Sequence, residues 1–276
     1  MAVASVDAIY IRGTVGRLFC LLHAPPSGVG HRGSVVFYAP FADEMNKSRR
    51  MAALQARMLA QAGWSVLQPD MAGCGDSEGD FGAAGWDDWS RDAVLAANWM
   101  ANRTGTQPTL WGLRAGCLLA AAVALEKPEF RHLLFWQPVS SGKQYLQQVL
   151  RLKVAGAMFS KGRQAGDGTR HFNELLQQGQ SVEVGGYDLS PTVALGLSGA
   201  MLAVPPGGGR MAWLEVSGTV GQEVSIAAQQ SIGKWQTGGW QVDARVCPGP
   251  SFWQTQEIEE SPALITDTMA HMMQAG

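Results

Sequence analysis

Short apolar runs alternate with amphipathic stretches along most of the chain. The strand-like runs are residues 7–12, 17–23, 34–39, 65–67, 132–136, 211–216 and 240–247. The stretches with apolar residues at helical spacing are residues 48–62, 86–101, 223–236 and 255–273. A continuous apolar run such as 34–39 is typical of a strand that is buried on both faces. Strands that alternate with helices predict a mostly parallel sheet with right-handed crossovers, and the first two runs predict a β-hairpin.

The alternation of strands and helices is interrupted in the second half of the chain. There an amphipathic stretch at residues 145–157 is followed by a glycine-rich polar stretch at residues 162–168. We therefore predict that residues 140–209 form a partly helical cap, inserted over one edge of the sheet. The two parts of the core are then residues 1–139 and 210–276.

Residues 108–119, PTLWGLRAGCLL, carry the strongest local signal. A short apolar run ends in the pattern Gly-x-Arg-x-Gly, formed by Gly112, Arg114 and Gly116, and a helix of small residues follows. Glycine is needed on both sides of so tight a turn, because a side chain would strike the neighbouring strand or helix. This arrangement resembles the nucleophile elbow of α/β-hydrolases, in which the central residue is a serine or another nucleophile. A guanidinium stays protonated and cannot attack a carbonyl group, so Arg114 is incompatible with the usual chemistry.

A second pattern, D-x-x-G-x-G-x-S-x-G at residues 70–79, lies between a predicted strand and a predicted helix. Together with the elbow and the hairpin, it makes the chain similar to the α/β-hydrolase superfamily everywhere except in the cap. The resemblance implies an α/β-hydrolase fold, with a mostly parallel central sheet flanked by helices. More narrowly, residues 40–81, WDDW, LWGLRAG and GPSFWQTQEIEE resemble the exosortase A system-associated hydrolase 2 family. That likeness implies an arginine at the elbow and an association with bacterial exopolysaccharide and protein-sorting genes.

The other two positions of a Ser-Asp-His triad also depart from the superfamily pattern. The loop after the last predicted strand, where the histidine belongs, reads PGPSFW at residues 248–253. The loop at residues 217–223, where the acid belongs, offers only Glu223. Without a nucleophile and a base, covalent acyl transfer by the usual route is not available.

Two interpretations of Arg114 are open. It either binds a carboxylate, phosphate or sulfate from the ligand, or it forms an internal ion pair with Asp43 or Glu44, whose loop normally lies against the elbow. We favour the ion pair, because an unpaired buried arginine beside a positive helix end is costly. Asp43 and Glu44 are also the candidates for general acid and base. The alternative is that they only neutralise Arg114 and Arg49.

Four aromatic residues at or near strand ends are candidates for a ligand-binding wall: Phe41, Trp111, Trp136 and Trp253. They suit an acyl, aryl or sugar ligand, and the alternative is that they belong to the core. Ser140 and Ser141 follow a strand at the same edge and are expected to face the pocket. Cys117 is expected to pack against the sheet, and His271 is expected on the surface.

Composition excludes several other classes of protein. A net charge of −2 and a pI near 6.2 lack the basic excess of a nucleic-acid-binding protein. The N-terminus has no basic segment typical of a signal peptide, and the longest apolar run, residues 117–125, is too short to span a membrane. Four widely spaced cysteines predict reduced thiols in a cytoplasmic protein. No motif indicates a metal or a redox cofactor, so none is predicted.

Two functions therefore remain in view. The first is a hydrolase of small esters or acyl compounds that uses Arg114, Glu44 and Asp43 in place of the triad. The second is a catalytically silent binding or scaffold protein, with Arg114 as an anion anchor or as part of a structural ion pair. In either case the expected partner is a small anionic or acyl molecule.

Overall fold

The structure is a computed structural model that describes residues 3–161, 165–184 and 186–274, and the side chains of these residues outside 152–169. The strands of this part are β1 Ser5–Arg12, β2 Arg17–Ala24, β3 Gly33–Tyr38, β4 Trp64–Pro69, β5 Thr109–Leu113, β6 His132–Trp136, β7 Val182–Val184, β8 Tyr187–Leu189, β9 Gly209–Ser217 and β10 Trp240–Pro248. Its helices are α1 Ala42–Gln61, α2 Trp86–Thr104, α3 Gly116–Glu126, α4 Gly142–Lys161, α5 Ala165–Gln177, α6 Pro191–Gly199, α7 Ile226–Thr237 and α8 Pro262–Gln274.

Eight strands form one sheet in the order β1-β2-β4-β3-β5-β6-β9-β10. The hairpin β1–β2 and the β2–β4 pair are antiparallel, and the remaining pairs are parallel. The predicted α/β architecture with a mostly parallel sheet is therefore confirmed. Because β3, β5, β6 and β9 run in the same direction, their carboxyl ends meet at one edge of the sheet, where loops from separate parts of the sequence come together.

Each face of the sheet is covered by its own set of helices. Val35 and Phe37 of β3 pack with residues of α1 and α8, whereas Val36 and Tyr38 pack with residues of α2 and α3. Side chains of a strand alternate between the two faces, so a continuous apolar run fills both cores at once. This explains why residues 34–39 show no polar alternation.

Several predicted element boundaries were wrong. Helix α1 begins at Ala42 instead of residue 48, with Asp43 and Glu44 in its first turn. Helix α8 begins at Pro262 instead of residue 255, since proline is suited to the first turn of a helix and the preceding residues form turns. Of the glycine-rich stretch at 162–168, residues 165–168 lie in α5, and residues 162–164 lie outside the described part.

The segment for which a cap was predicted lies in the chain between β6 and β9. It contains α4, α5, the antiparallel β7–β8 pair and α6. Helix α6 packs against both α4 and α2. Ser190 caps the amino end of α6 by accepting a hydrogen bond from the Val193 amide, and it also donates to the Ala84 carbonyl just before α2. The segment is thus attached to the core beside the sheet edge described above.

Candidate functional site

The turn between β5 and α3 has the backbone geometry of an elbow. Arg114 adopts a φ of +53°, in the left-handed region that L-residues seldom occupy. A Cβ atom on Gly112 would lie 2.6 Å from the Cys117 backbone, and one on Gly116 would overlap the Tyr38 carbonyl oxygen. The two glycines are therefore required by close backbone approach, which is the reason inferred from their spacing. The turn forces the Arg114 side chain outwards at the carboxyl edge of the sheet.

Backbone strain is concentrated at this edge. In the described part of the chain, the non-glycine residues with positive φ are Ala42, Arg114 and Gln137, at +55°, +53° and +44°. They follow β3, β5 and β6, which are neighbours in the sheet. Residues in sparsely populated conformations persist only where the surroundings fix them, and they cluster at active sites and ligand-binding sites. Strain on three adjacent strand ends therefore marks this edge as the candidate site.

Arg114 is held by charged, amide and aromatic groups. Its Nε lies 3.4 Å from Oε1 of Glu44, and its Nη2 donates to Oε1 of Gln148 in α4 at 3.2 Å. The guanidinium carbon lies 5.4 Å from the ring centre of Tyr145 and 5.5 Å from that of Trp253, within the range of cation–π attraction. The side chain is 12% exposed, so the favoured ion pair is present and largely shielded from water.

Glu44 is the buried partner in this network. Its Oε2 accepts a hydrogen bond of 2.8 Å from the Tyr145 hydroxyl. Burial raises the pKa of Glu44 above its ordinary value of 4.5, even though Arg114 and Tyr145 act in the opposite direction. Burial also raises the pKa of Tyr145, with a further contribution from the charge of Glu44. Tyr145 therefore remains a neutral donor to the carboxylate.

Asp43 does not take part in this network. Its carboxylate pairs with Lys47 one helical turn away at 2.9 Å, and its side chain is 57% exposed. The suggestion that Asp43 or Glu44 neutralises Arg49 is also wrong, since Arg49 pairs with Asp70 at 3.2 Å. Asp43 points into solvent because it lies next to Glu44 in the first turn of a helix, and neighbouring helical residues face different directions.

A cavity of about 170 Å³ opens beside Arg114. Ser140 and Ser141 line it, as predicted, and Gln137, Trp213 and Glu215 line it as well. The carboxylate of Glu215 accepts hydrogen bonds from the amide and the hydroxyl of Ser225 at 3.1 and 3.2 Å, and from the Trp213 indole at 3.4 Å. These bonds fix the direction of the carboxylate.

A second pocket near the elbow is apolar and very small. Phe41, Trp89, Ala115 and Leu119 are among the residues that line it, and its volume is about 20 Å³. This is enough for roughly one water molecule. Phe41 fills the surrounding space by packing edge-on against Tyr145, with ring centres 5.5 Å apart. An acyl chain would find no room here without movement of these rings.

The structure brings only part of the predicted aromatic wall to the site. Trp253 lies under Arg114, but Trp111 and Trp136 are completely buried on the face covered by α1 and α8. The Trp136 indole donates to the Thr268 hydroxyl of α8 at 2.9 Å. Trp111 lies in β5 and Trp136 lies in β6, and in both strands the pleat directs the indole to the face covered by α1 and α8, away from the cavity. They belong to the core.

No standard nucleophile or base accompanies the elbow in the described part of the chain. Cys117 is fully buried, and burial raises its thiol pKa far above the ordinary value. The Ser77 hydroxyl donates to the Asp70 carbonyl and accepts from the Phe19 amide, so it has a structural role. The histidines lie away from the cavity: His23 in β2, His31 before β3, His132 at the amino end of β6, His171 in α5 and His271 in α8. His271 was expected on the surface, but it is buried and its Nδ1 lies 3.2 Å from Asp243.

Sequence analysis missed two residues that contact the elbow, Tyr145 and Gln148. Both lie in α4, and Tyr145 was noted only as the start of an amphipathic stretch. The position of that stretch directly after a strand at the carboxyl edge was the available signal. Within the described residues there is no group of histidine, cysteine, aspartate and glutamate side chains suited to hold a metal ion. The same part contains no helix that is long and apolar enough to cross a membrane.

The strand order, the strained elbow and the glycine contacts together define an α/β-hydrolase-fold protein. The chain belongs to the serine aminopeptidase S33 family (Hydrolase_4), whose model matches residues 31–179. This is a family of hydrolases, although the elbow of this chain carries arginine. A comparison with curated protein sequences gives no match.

Solved structures similar to this chain share its fold over nearly the whole length. Est1E from Butyrivibrio proteoclasticus, with bound ferulic acid, is 15% identical with a TM-score of 0.61, covering 96% of this chain and 99% of Est1E. An esterase from Pyrobaculum calidifontis is 16% identical with a TM-score of 0.59, covering 98% of this chain and 86% of the esterase. DcsB in complex with its substrate analogue is 12% identical with a TM-score of 0.62, covering 98% of this chain and 99% of DcsB.

Proposed function

We propose that this member of a hydrolase family binds a small anionic molecule beside Arg114 without hydrolysing it. The observation that carries this proposal is the position of Arg114 at the centre of the elbow, where the family fold would direct a nucleophile into the pocket. Among the described residues, Glu44 and Gln148 are the acceptors of its guanidinium, which leaves about three of its five N–H groups for a ligand. Arg114 also lines the open cavity.

The surroundings of Arg114 support binding over acyl transfer. A serine-type hydrolase needs a nucleophile next to a base, and the cavity offers serines without a histidine in the described part of the chain. The apolar space beside the elbow, about 20 Å³, leaves no place for an acyl group. A carboxylate or another oxyanion, in contrast, matches the forked geometry of a guanidinium.

A hydrolase of small esters is the second candidate, and Glu44 is the residue that favours it. Its raised pKa brings the carboxyl group closer to the range in which a general base works at neutral pH. In this scheme Glu44 activates a water molecule and Arg114 stabilises the negative charge that develops on the ester oxygen. Family membership supports this candidate as well.

Three further parts of the proposal concern the whole protein. We infer that residues 140–209 act as a cap, because α4 reaches the elbow through Tyr145 and Gln148. We also infer a cytoplasmic location from the widely spaced, unpaired thiols. The resemblance to the exosortase A-associated hydrolase 2 family supports a role in an exopolysaccharide or protein-sorting pathway.

Calorimetric titration together with an esterase assay separates the two candidates. Titration with a panel of short carboxylates and phosphate should give binding to the parent protein, with a loss of about tenfold or more in affinity for Arg114→Gln. Arg12→Gln, which removes the same charge from the exposed end of β1, is the matched control and should bind normally. A panel of nitrophenyl esters should show no turnover above background. Turnover that is lost in Glu44→Gln would replace the binding proposal with the hydrolase.

A further inference from the structure

The cavity beside Arg114 is lined mainly by polar side chains. Eight of its fourteen lining residues are serine, glutamine, glutamate or arginine, including Gln137, Ser141 and Gln144. Pockets for small molecules are usually lined by hydrophobic and aromatic side chains, with few polar groups. A lining in which polar groups are the majority stays well hydrated when empty, and an apolar ligand would leave these groups without partners. The cavity therefore suits a ligand that carries hydrogen-bonding groups along its length.

The charges in the cavity are arranged at two separate positions. Arg114 follows β5 and Glu215 lies in β9, and β6 lies between these strands. The axes of strands two apart are separated by about 10 Å. Glu44 is paired with Arg114 and offsets its positive charge. The other end of the cavity carries the carboxylate of Glu215, so a second anionic group on a ligand would be repelled there.

Glu215 also has the chemistry to accept hydrogen bonds from a ligand. An ionised carboxylate offers about four lone-pair sites, and the described residues supply three donors to it, from Trp213 and Ser225. Hydroxyl groups of Ser140 and Ser141 and amides of Gln137 and Gln144 line the same cavity as further donors and acceptors. Hydroxyl groups of a ligand can both donate and accept, so they match this mixture.

We propose that the ligand is a small hydroxylated monocarboxylate, with its carboxylate at Arg114 and its hydroxyl groups directed towards Gln137, the two serines and Glu215. This inference rests on the proposed anion-binding function and names the ligand class. The cavity volume of about 170 Å³ limits the ligand to a small molecule. Apolar residues of the lining, among them Pro138 and Ala227, supply a surface for the carbon chain.

Four compounds of equal chain length test the inference by calorimetric titration. They are threonate, which has three hydroxyl groups and one carboxylate, butyrate, erythritol and tartrate. Threonate should bind about tenfold or more tightly than butyrate, because two or three additional hydrogen bonds act together. Erythritol should not bind measurably. Tartrate, with a second carboxylate, should bind about tenfold more weakly than threonate.

Variants separate this inference from the function on which it rests. Glu215→Gln should reduce the difference in affinity between threonate and tartrate. Glu223→Gln is the control, because it removes the same charge from the following loop, outside the cavity lining, and it should leave that difference in affinity unchanged. If butyrate binds as tightly as threonate and Arg114→Gln abolishes both, the hydroxylated class is wrong and anion binding stands. If erythritol binds as well as threonate and Arg114→Gln has no effect, the anion-binding function is wrong. Absence of binding by all four compounds to the folded parent would overturn the ligand class.

Discussion

At the scale of single residues, the Arg114–Glu44 pair decides the character of the site. The sequence indicated that an arginine in this position needs a carboxylate and that Asp43 and Glu44 were within reach. The structure selects Glu44, whose side chain is 13% exposed, and leaves Asp43 in solvent. Burial disfavours the charged form of Glu44 more than Arg114 favours it, since the pKa of Glu44 is raised although the two side chains are paired. The pair is therefore a costly arrangement that only its surroundings maintain.

Removal of the Arg114 charge should cost less stability when Glu44 has already lost its own charge. We expect Arg114→Ala to lower the free energy of unfolding by about 3 kcal/mol at neutral pH, because it leaves the buried carboxylate of Glu44 uncompensated. In a Glu44→Gln background the same change should cost at least about 1 kcal/mol less. Urea unfolding of the four proteins measures this cycle. Equal costs in both backgrounds would mean that the two side chains are not coupled.

The raised pKa of Glu44 predicts a pH dependence of defined sign. The folded state holds the proton of this carboxyl group more tightly than the unfolded state, so the parent loses stability as pH rises from about 4.5 towards the pKa in the folded state. Glu44→Gln imitates the protonated form and lacks this loss. Its stability relative to the parent should increase with pH across this interval and then level off. Unfolding curves collected at closely spaced pH values give the comparison, and a relative stability that decreases with pH would contradict the sign.

At the scale of elements, the strand–turn–helix formed by β5 and α3 was predictable because its signal is local. Two glycines and an apolar strand specify the turn without reference to any distant residue. The ends of α1 and α8 were predicted less well, because helix ends depend on which polar groups meet the unpaired backbone. Helix α4 was recognised as amphipathic, but its contacts with the elbow depend on how it docks.

The elbow glycine next to α3 should be intolerant of any side chain. Gly116→Ala places a Cβ against the Tyr38 carbonyl oxygen, and we expect a loss of about 3 kcal/mol or more in the free energy of unfolding. Gly233→Ala in α7 meets no atom within 4 Å and should stabilise the protein by about 0.5–1 kcal/mol. Thermal denaturation distinguishes the two variants. A well-tolerated Gly116→Ala would show that the backbone does not approach as closely as described.

The hydroxyl of Tyr145 should hold α4 against the core. Tyr145→Phe leaves Oε2 of Glu44 without this donor, at a cost of about 1.5–3 kcal/mol for a hydrogen bond to a charged group. We expect faster amide hydrogen exchange in the first turns of α4, measured by mass spectrometry. Tyr10→Phe, which removes a hydroxyl with a long, exposed contact of 3.5 Å, is the control. Unchanged exchange in α4 would mean that other contacts hold the helix.

At the scale of the whole molecule, catalysis in this fold requires groups from several loops at the same edge. The elbow supplies one position, and the loops after β9 and β10 supply the others. Here the loop after β10 brings Trp253 under Arg114, and the described part of the loop region brings no histidine to the cavity. The architecture of the α/β-hydrolase fold is thus retained, and arginine occupies the elbow position.

A serine at the elbow should not restore hydrolysis by itself. We expect Arg114→Ser to show no esterase activity above that of Arg114→Ala, because a hydroxyl without an adjacent base is a weak nucleophile. Rates with nitrophenyl acetate, measured on folded samples of both variants, provide the test. Turnover at least about a hundredfold above Arg114→Ala would mean that a base reaches the elbow in solution.

The sequence by itself determined the order of the core strands and helices, the elbow and the arginine at its centre, because each of these is encoded in residues close together in the chain. The tertiary structure decided which carboxylate meets Arg114, that Trp111 and Trp136 face the opposite core, and that Tyr145 and Gln148 complete the network. These outcomes depend on the pleat of the strands and on the docking of α4 over the sheet edge. Contacts between residues about 70 to 100 positions apart are fixed by packing, and no local pattern records them.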